Sequence, residues 1–340
     1  MYENKKILIL GAAKSGLAVA KLLAHRNNNI TLSDINELKV EDQKMLEDLG
    51  IKVVITSNQC DLIDTSYDLV IKNPAIMSTS DIVKKIENLK LRCENEIEVA
   101  YHFLPSGVTI IGVTGSNGKT TTTTIIYELL KRHGKNVVLG GNIGYPLSSV
   151  IDQVKSGDIL LLEISDHQLC DIHDFKTNIS VLTNICPTHL DYHGTYEHYM
   201  MTKKKIFNLH TGADVAILNK SNQDSMEVSE DILSKKIYFN DTENYYKDNY
   251  IYLHGKQYLN VNDICLKGLH NYENILAALL VLENFGIDKN VVIEFLKKFG
   301  GVAHRLEYVI TKDDVEYYND SKSTNPTATI TALKTFTKPI

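Results

Sequence analysis

Two glycine-rich turns, each set between an apolar run of strand length and an amphipathic run of helix length, restrict this chain to a small group of α/β folds. The more informative is Gly112–Thr124, GVTGSNGKTTTTT, which follows VTII and precedes IIYELLKRHGK. In such a loop backbone N–H groups wrap phosphate oxygens, a lysine reaches the terminal phosphates and a hydroxyl holds Mg2+. Lys119 and Thr120 fit the last two roles. The pattern is a variant one: Val113 stands six residues before the lysine, where a strict P-loop has glycine, and Gly112 and Gly115 flank it. Threonines 120–124 are poor formers of a helix interior, but a first turn, whose N–H groups lack helical partners, tolerates them.

The other turn is GAAKSG, Gly11–Gly16, between KILIL and SGLAVAKLL. A dinucleotide fingerprint has a middle glycine, which here is Ala13, and an acid closing the next strand, which here is Asp34 in NITLSD. The functional reading is a nucleotide diphosphate at the helix N-terminus. The plain alternative is a tight turn with no ligand.

Around these turns, KILIL, NITLSD, KVVI and DLVIK alternate with the helical patterns SGLAVAKLLAHR and EDQKMLEDLG. That alternation predicts parallel sheets with helices on their faces. We expect an N-terminal Rossmann-like unit over 1–97 and a central P-loop α/β unit over 98–302. A third, Rossmann-like unit would begin at 303 and be incomplete at 340, since two strands and one helix cannot bury a core. Within the central unit, KKIYF, YIYLHG, QYLNV and DICLKG suggest antiparallel hairpins. HNYENILAALLVLENFG predicts a long helix with Ile275, Leu276, Leu279 and Leu282 on one face.

With 340 residues the chain is long enough for two or three cores, and a net charge of −6 gives no reason to expect a nucleic-acid partner. Its five scattered cysteines, without a CxxC pair, suggest reduced thiols in a cytoplasmic protein. MYENKKILILGAA is a strand leading into a turn rather than a signal peptide. No apolar stretch approaches the roughly 18 residues that span a membrane, so membrane insertion is not expected.

Glu163 ends the apolar run DILLLEI. A charge there is costly unless it is paired or metal-bound, and strand C-termini are where open α/β sheets hold ligands. It is therefore a candidate Mg2+ ligand or water-orienting base, the alternative being a solvated strand-end acid. ISVLTNI delivers CPTHLDYH to the same edge. The spacing of Cys186, His189 and His193 admits zinc, but no fourth ligand is near and Mg2+ suits an ATP loop better. His189 is expected near the phosphates, with Asp191 and His193 behind it. In YMMTKKKIF three successive lysines, 203–205, cannot share one helix face. One of them can turn toward Glu163 and His189, and spacing leaves open which.

TGSNGKTTTT, LLLEIS, NICPTHLDYH, GLHNYENILAAL, AHRLE and NDSKSTNP, in that order, resemble the Mur ligase family, ATP-dependent enzymes that join an amino acid to a UDP-linked muramoyl precursor of bacterial cell wall. NDSKSTNP and GAAKSG look most like its D-glutamate-adding branch. The resemblance spans nearly the whole chain. It implies a cytoplasmic bacterial enzyme, expected to be a monomer, that uses ATP and two Mg2+ ions to add D-glutamate to UDP-N-acetylmuramoyl-L-alanine.

By the same resemblance the first turn holds the UDP moiety, through Lys14, Ser15, Gly16 and Asp34, and the second holds ATP, through Gly115, Ser116, Asn117, Gly118, Lys119, Thr120 and Thr121. Asn271 and Asn274 match adenine-side residues, and Arg305 and Asp320 match contacts to the ATP phosphate and ribose. Asn142 and Ser165 match contacts to the muramoyl substrate, and Lys322 and Thr324 face the D-glutamate side. Thr120, Glu163 and His189 match metal ligands. Lys203 matches a lysine that the family carbamylates, which would make it a further ligand. Lys119, His189 and Lys203 are thus the implied catalytic residues.

This chain departs from the family pattern after Ser165, with Asp166 and His167 in place of serine and phenylalanine, and after Asp34, with Asn36 in place of arginine. Two other readings compete. Folylpolyglutamate synthase, a related amide ligase, lacks NDSKSTNP and the first nucleotide unit. A nucleotide-dependent switch or transporter ATPase would need neither the first turn nor the convergence of Glu163, His189 and Lys203.

Overall fold

The computed structural model describes residues 1–323 and 326–336. Its first sheet contains β1 (Lys6–Leu10), β2 (Asn29–Asp34), β3 (Lys52–Ile55), β4 (Leu69–Lys72) and β5 (Cys93–Glu94), all parallel, in the order β3-β2-β1-β4-β5. Ile7, Leu8, Ile9 and Leu10 are all buried, as a central parallel strand covered on both faces requires. From β1 the chain first winds to one side through β2 and β3, then returns to place β4 on the other. That reversal opens a crevice beyond the C-terminal ends of β1 and β4, and GAAKSG lies in it.

The second sheet has six parallel strands: β6 (Thr109–Thr114), β7 (Val137–Gly141), β8 (Ile159–Glu163), β9 (Ile179–Leu182), β10 (Val215–Asn219) and β11 (Lys235–Phe239). Their order is β11-β10-β9-β6-β8-β7. Again the first strand lies inside, so the loops leaving β6, β8 and β9 converge on one edge. On one face the helices Lys119–Arg132 and Leu269–Leu282 pack together through a core that includes Ile125, Leu129, Ile275 and Leu279. On the other face Leu160, Leu162, Phe175, Tyr199 and Phe207 build a second core.

Two sequence expectations change here. KKIYF is no hairpin: it is β11, parallel to β10 and the edge of the main sheet. The antiparallel piece is smaller, β12 (Tyr245–Lys247), β13 (Tyr250–Leu253) and β14 (Lys256–Asn260), and DICLKG is not a strand. Helix Leu269–Leu282 also buries more than one face, since Ala277, Ala278, Leu280 and Val281 are buried too. It lies between the P-loop helix and the strands of the small antiparallel sheet, so its apolar stripe has widened to the whole circumference.

The third piece is a hairpin, β15 (Glu307–Lys312) with β16 (Val315–Asn319), followed by helix Pro326–Leu333. The first and second sheets are joined at Lys72, a buried ammonium at the end of β4. It pairs with Asp171 at 3.0 Å and donates to the Tyr192 hydroxyl at 3.4 Å. Among the described residues no helix is long and apolar enough to cross a membrane.

Candidate active site

The loop after β6 turns at Gly115 (φ 147°) and enters its helix at Gly118 (φ 85°). Both glycines are required by space as well as by φ. A Cβ on Gly115 would lie 1.9 Å from Thr183 Oγ1, and one on Gly118 would lie 2.2 Å from Asn274 Oδ1. The β9 edge fixes the loop from outside. Ser116 N donates to Asn184 O (2.8 Å), Asn117 N donates to Asn184 Oδ1 (3.0 Å), and Thr183 Oγ1 donates to Asn117 O (2.6 Å). Lys119 folds back so that Nζ donates to Gly115 O at 2.8 Å and Ser116 O at 3.0 Å. Loss of solvent, and then the nearby Lys203 charge, push its pKa down to about 8. Thr120 is buried, and its Oγ1 accepts from the Arg305 guanidinium at 3.4 Å.

Beyond β8, Glu163 is 1% exposed. Asn142 Nδ2 donates to its Oε1 at 2.7 Å, while Oε2 is buried with no hydrogen-bond partner. A buried carboxylate oxygen without a partner beside a phosphate-type loop has the chemistry that suits a hard cation. Ser165 closes the following turn as an N-cap: it accepts from Gln168 N at 3.2 Å, and Gln168 Oε1 accepts from Ser165 N at 3.0 Å.

The next residue, Asp166, is the hub of the site. It is buried, and its Oδ2 accepts from His189 Nδ1 and from His193 Nε2, both at 2.9 Å, while Oδ1 accepts from Lys203 Nζ at 3.2 Å. Burial alone would raise its pKa, but the Lys203 charge and the two imidazole hydrogen bonds outweigh that and hold the carboxyl well below the usual range. His167 stacks on His189 with ring centroids 4.9 Å apart, and burial pushes its pKa down to about 4. One ligand atom from each of Asp166, His167 and His189 lies within 4.8 Å of the others.

The lysine run separates as helical spacing requires. Lys203 is fully buried and also donates to Thr114 Oγ1 (3.2 Å) and Gly115 O (3.1 Å); burial lowers its pKa. Lys204 instead pairs with Asp231 at the surface, and Lys205 donates to Cys170 O. Cys186 makes no metal-like cluster with His189 and His193; its Sγ accepts from Asn117 Nδ2 at 3.5 Å.

Beside the loop lies a cavity of about 620 Å3, lined among others by Asn117, Gly118, Thr121, Asn271, Asn274 and Arg305. Asp320, reaching in from the third piece, also lines it, and its Oδ1 accepts from Leu306 N at 3.0 Å. The structure thus gathers the adenine-side and phosphate-side candidates around one space. Lys322 is exposed on the third piece, and Thr324 lies outside the described residues.

The first turn is built differently. Gly11 has φ 100°, and a Cβ on Gly16 would lie 1.9 Å from Gly11 O. The Asp34 carboxylate accepts from Ala12 N (2.6 Å) and Asn36 N (2.9 Å). It therefore braces the turn on one side and its own strand end on the other. Ser15 Oγ accepts from Asn73 Nδ2 at 3.5 Å, which ties the turn to the loop after β4, and Lys14 is exposed.

Sequence reasoning did not assign Asp166 a role. The available signal was its place three residues beyond Glu163, in a position where the family pattern has a neutral residue.

An open α/β sheet with a variant P-loop, a buried carboxylate with one unpartnered oxygen and a buried lysine at one edge defines a nucleotide-dependent phosphoryl-transfer or ligase site. The sequence profile of the Mur ligase middle domain matches residues 113–282. The chain is 42% identical over 343 residues to a UDP-N-acetylmuramoylalanine–D-glutamate ligase of Geobacillus sp. (strain WCH70), covering 99% of this chain and 76% of that protein. It is 41% identical to the protein of the same name from Streptococcus thermophilus (strain ATCC BAA-491 / LMD-9), covering 98% and 75%. Among solved structures, a UDP-N-acetylmuramate-alanine ligase from Thermotoga maritima matches with TM-score 0.55 and 22% identity over 97% of this chain and 77% of that one. MurF from Acinetobacter baumannii matches with TM-score 0.60 and 14% identity over 100% and 70%. The chain belongs to the Mur ligase family, with relatives named as D-glutamate ligases along almost its whole length.

Proposed function

We propose that this chain catalyses ATP-dependent addition of D-glutamate to UDP-N-acetylmuramoyl-L-alanine. The observation that carries the reading is the pair of separate cradles: one glycine turn on each sheet, with Glu163, Asp166 and Lys203 buried together beside the second. UDP binds at Gly11–Gly16, where Lys14, Ser15 and Gly16 offer donors at a helix N-terminus and Asp34 braces the turn. ATP binds with its phosphates on Gly115–Thr121 and its base in the cavity by Asn271 and Asn274, while Arg305 and Asp320 close over it.

In the first step a substrate carboxylate oxygen attacks the γ-phosphorus, the bond to ADP breaks and an acyl phosphate forms. Asn142 and Ser165 stand on the muramoyl side of that carboxylate. Lys119 leaves its two loop carbonyls to meet the terminal phosphates, a shift that exchanges neutral acceptors for charged ones. In the second step the D-glutamate nitrogen attacks the acyl carbon, phosphate leaves and the nitrogen gives up a proton. Lys322 and Thr324 are assigned to the D-glutamate side. Thr120, Glu163 and His189 are the protein groups suited to hold two Mg2+ ions, and Lys203 is the lysine that carbamylation would turn into a further ligand. Bound there, Mg2+ offsets the phosphate charge in the transition state.

The test is ADP formation from ATP that depends on UDP-N-acetylmuramoyl-L-alanine. Equal stimulation by UDP-N-acetylmuramate, which lacks the alanine, would contradict the assignment to this branch.

A further inference from the structure

Asp166 plays no part in the steps above, yet four groups of the site meet on it or beside it. It stands where the family pattern has a neutral residue, and the capping turn of Ser165 and Gln168 holds its backbone rigidly. Two imidazoles share Oδ2 at 2.9 Å each. One of these, His189, sits in the left-handed region (φ 52°, ψ 35°), a conformation that costs energy in a non-glycine residue and persists only where surrounding contacts enforce it. Its ring is 44% exposed, and among the described residues no hydrogen bond reaches Nε2.

A carboxylate only accepts hydrogen bonds, so a neutral imidazole bound to it through Nδ1 must carry its proton there. Nε2 then presents a lone pair. A carboxylate behind the distal nitrogen is how metal-binding histidines are commonly oriented, and loss of such a partner typically weakens metal binding by about 10- to 100-fold.

We propose that Asp166 is a positioning residue: through Nδ1 it fixes the tautomer and direction of His189, leaving Nε2 as the acceptor that faces a divalent cation on the nucleotide. The proposal rests on the ATP reading above for the identity of the cation site, but not for the orientation. His193 Nε2 and Lys203 Nζ complete the shell around the carboxylate and keep it from swinging away. A serine there, as in the family pattern, would be shorter, uncharged and able to donate as well as accept, so it would leave the tautomer of His189 free.

The experiment has two arms. In the first, protein labelled with 15N-histidine and free of nucleotide is examined by long-range 1H–15N NMR at pH 8, with the His189 signal assigned by its loss in His189→Gln. The unsubstituted protein should show a single Nδ1–H tautomer at His189. Asp166→Ser should shift it largely to Nε2–H, and Asp166→Asn, with one carbonyl oxygen for two rings, should show both forms. In the second arm, Mn2+ affinity is measured by EPR in the presence of AMP-PCP; Asp166→Ser should weaken it by about tenfold or more.

A His189 that remains entirely Nδ1–H in both variants overturns the proposal, as does Mn2+ affinity in Asp166→Ser within twofold of the parent. If Asp166→Ser does not fold, Asp166→Asn decides both arms. Failure of the unsubstituted protein to bind Mn2+ with AMP-PCP would refute the nucleotide reading, and the NMR arm would still decide the orientation.

Discussion

The two glycine turns occupy the same place in their sheets, at the end of an inner parallel strand beside a topological reversal, yet they are finished in opposite ways. Around Gly11–Gly16 the polar groups satisfy one another: Asp34 takes two backbone N–H groups and Asn73 holds Ser15. Around Gly115–Lys119 the chain buries Glu163, Asp166 and Lys203 and leaves one carboxylate oxygen unpaired. Burying charge is expensive unless a ligand or a partner recovers the cost. On the proposed function, one fold element serves as a holding site in the first sheet and as a reaction site in the second, and the difference lies in the charges its neighbours bring.

The comparison breaks most visibly at Lys119. Lys119→Ala should weaken AMP-PCP binding by roughly 100-fold, the scale of lost charged hydrogen bonds, and leave UDP-substrate binding unchanged in calorimetry. An equal loss at both sites would mean that the turns do not act separately. The converse variant is Gly16→Ala. Its Cβ would meet Gly11 O at 1.9 Å, so the first turn must rearrange. UDP-substrate affinity should fall by about tenfold or more while AMP-PCP affinity holds.

A smaller effect comes from pH. Lys119 has its pKa lowered to about 8. A phosphate is held by the ammonium, so AMP-PCP affinity should be level below pH 8 and fall above it, by at most about tenfold per unit. Binding at the first turn, where the nearby buried lysine, Lys72, is already paired with Asp171 at 3.0 Å, should stay level over the same range. Smallest of all are Lys204→Ala and Lys205→Ala, predicted to change AMP-PCP affinity less than twofold. Lys204 pairs with an exposed acid, and Lys205 donates to Cys170 O away from the loop.

Much of this was legible in the sequence because it is written in local pattern. Strand runs followed by glycine and then a helix disclose parallel βα units. Lys119, Thr120 and Glu163 are recognisable from their place at the ends of such units. What escaped is tertiary. KKIYF has the same alternation whether it pairs with a hairpin partner or with β10, so only the packing of the main sheet decides. Leu269–Leu282 reads as one-faced until the small antiparallel sheet covers its other side. Spacing left open the choice among Lys203, Lys204 and Lys205, which only the family resemblance made, because it depends on which face of their helix meets the end of β6. Asp166 stood out only as a departure from the family pattern; its three partners come from residues 189, 193 and 203, separated in sequence and brought together by the β9 edge.

The central claim is that two different nucleotides occupy two similar turns, and hydrogen exchange read by mass spectrometry tests it most directly. UDP-N-acetylmuramoyl-L-alanine should slow exchange over Gly11–Leu17 and around Asp34, and AMP-PCP should slow it over Gly115–Thr121, each without affecting the other region. Protection of Gly115–Thr121 by the UDP ligand, or of Gly11–Leu17 by AMP-PCP alone, would contradict the account.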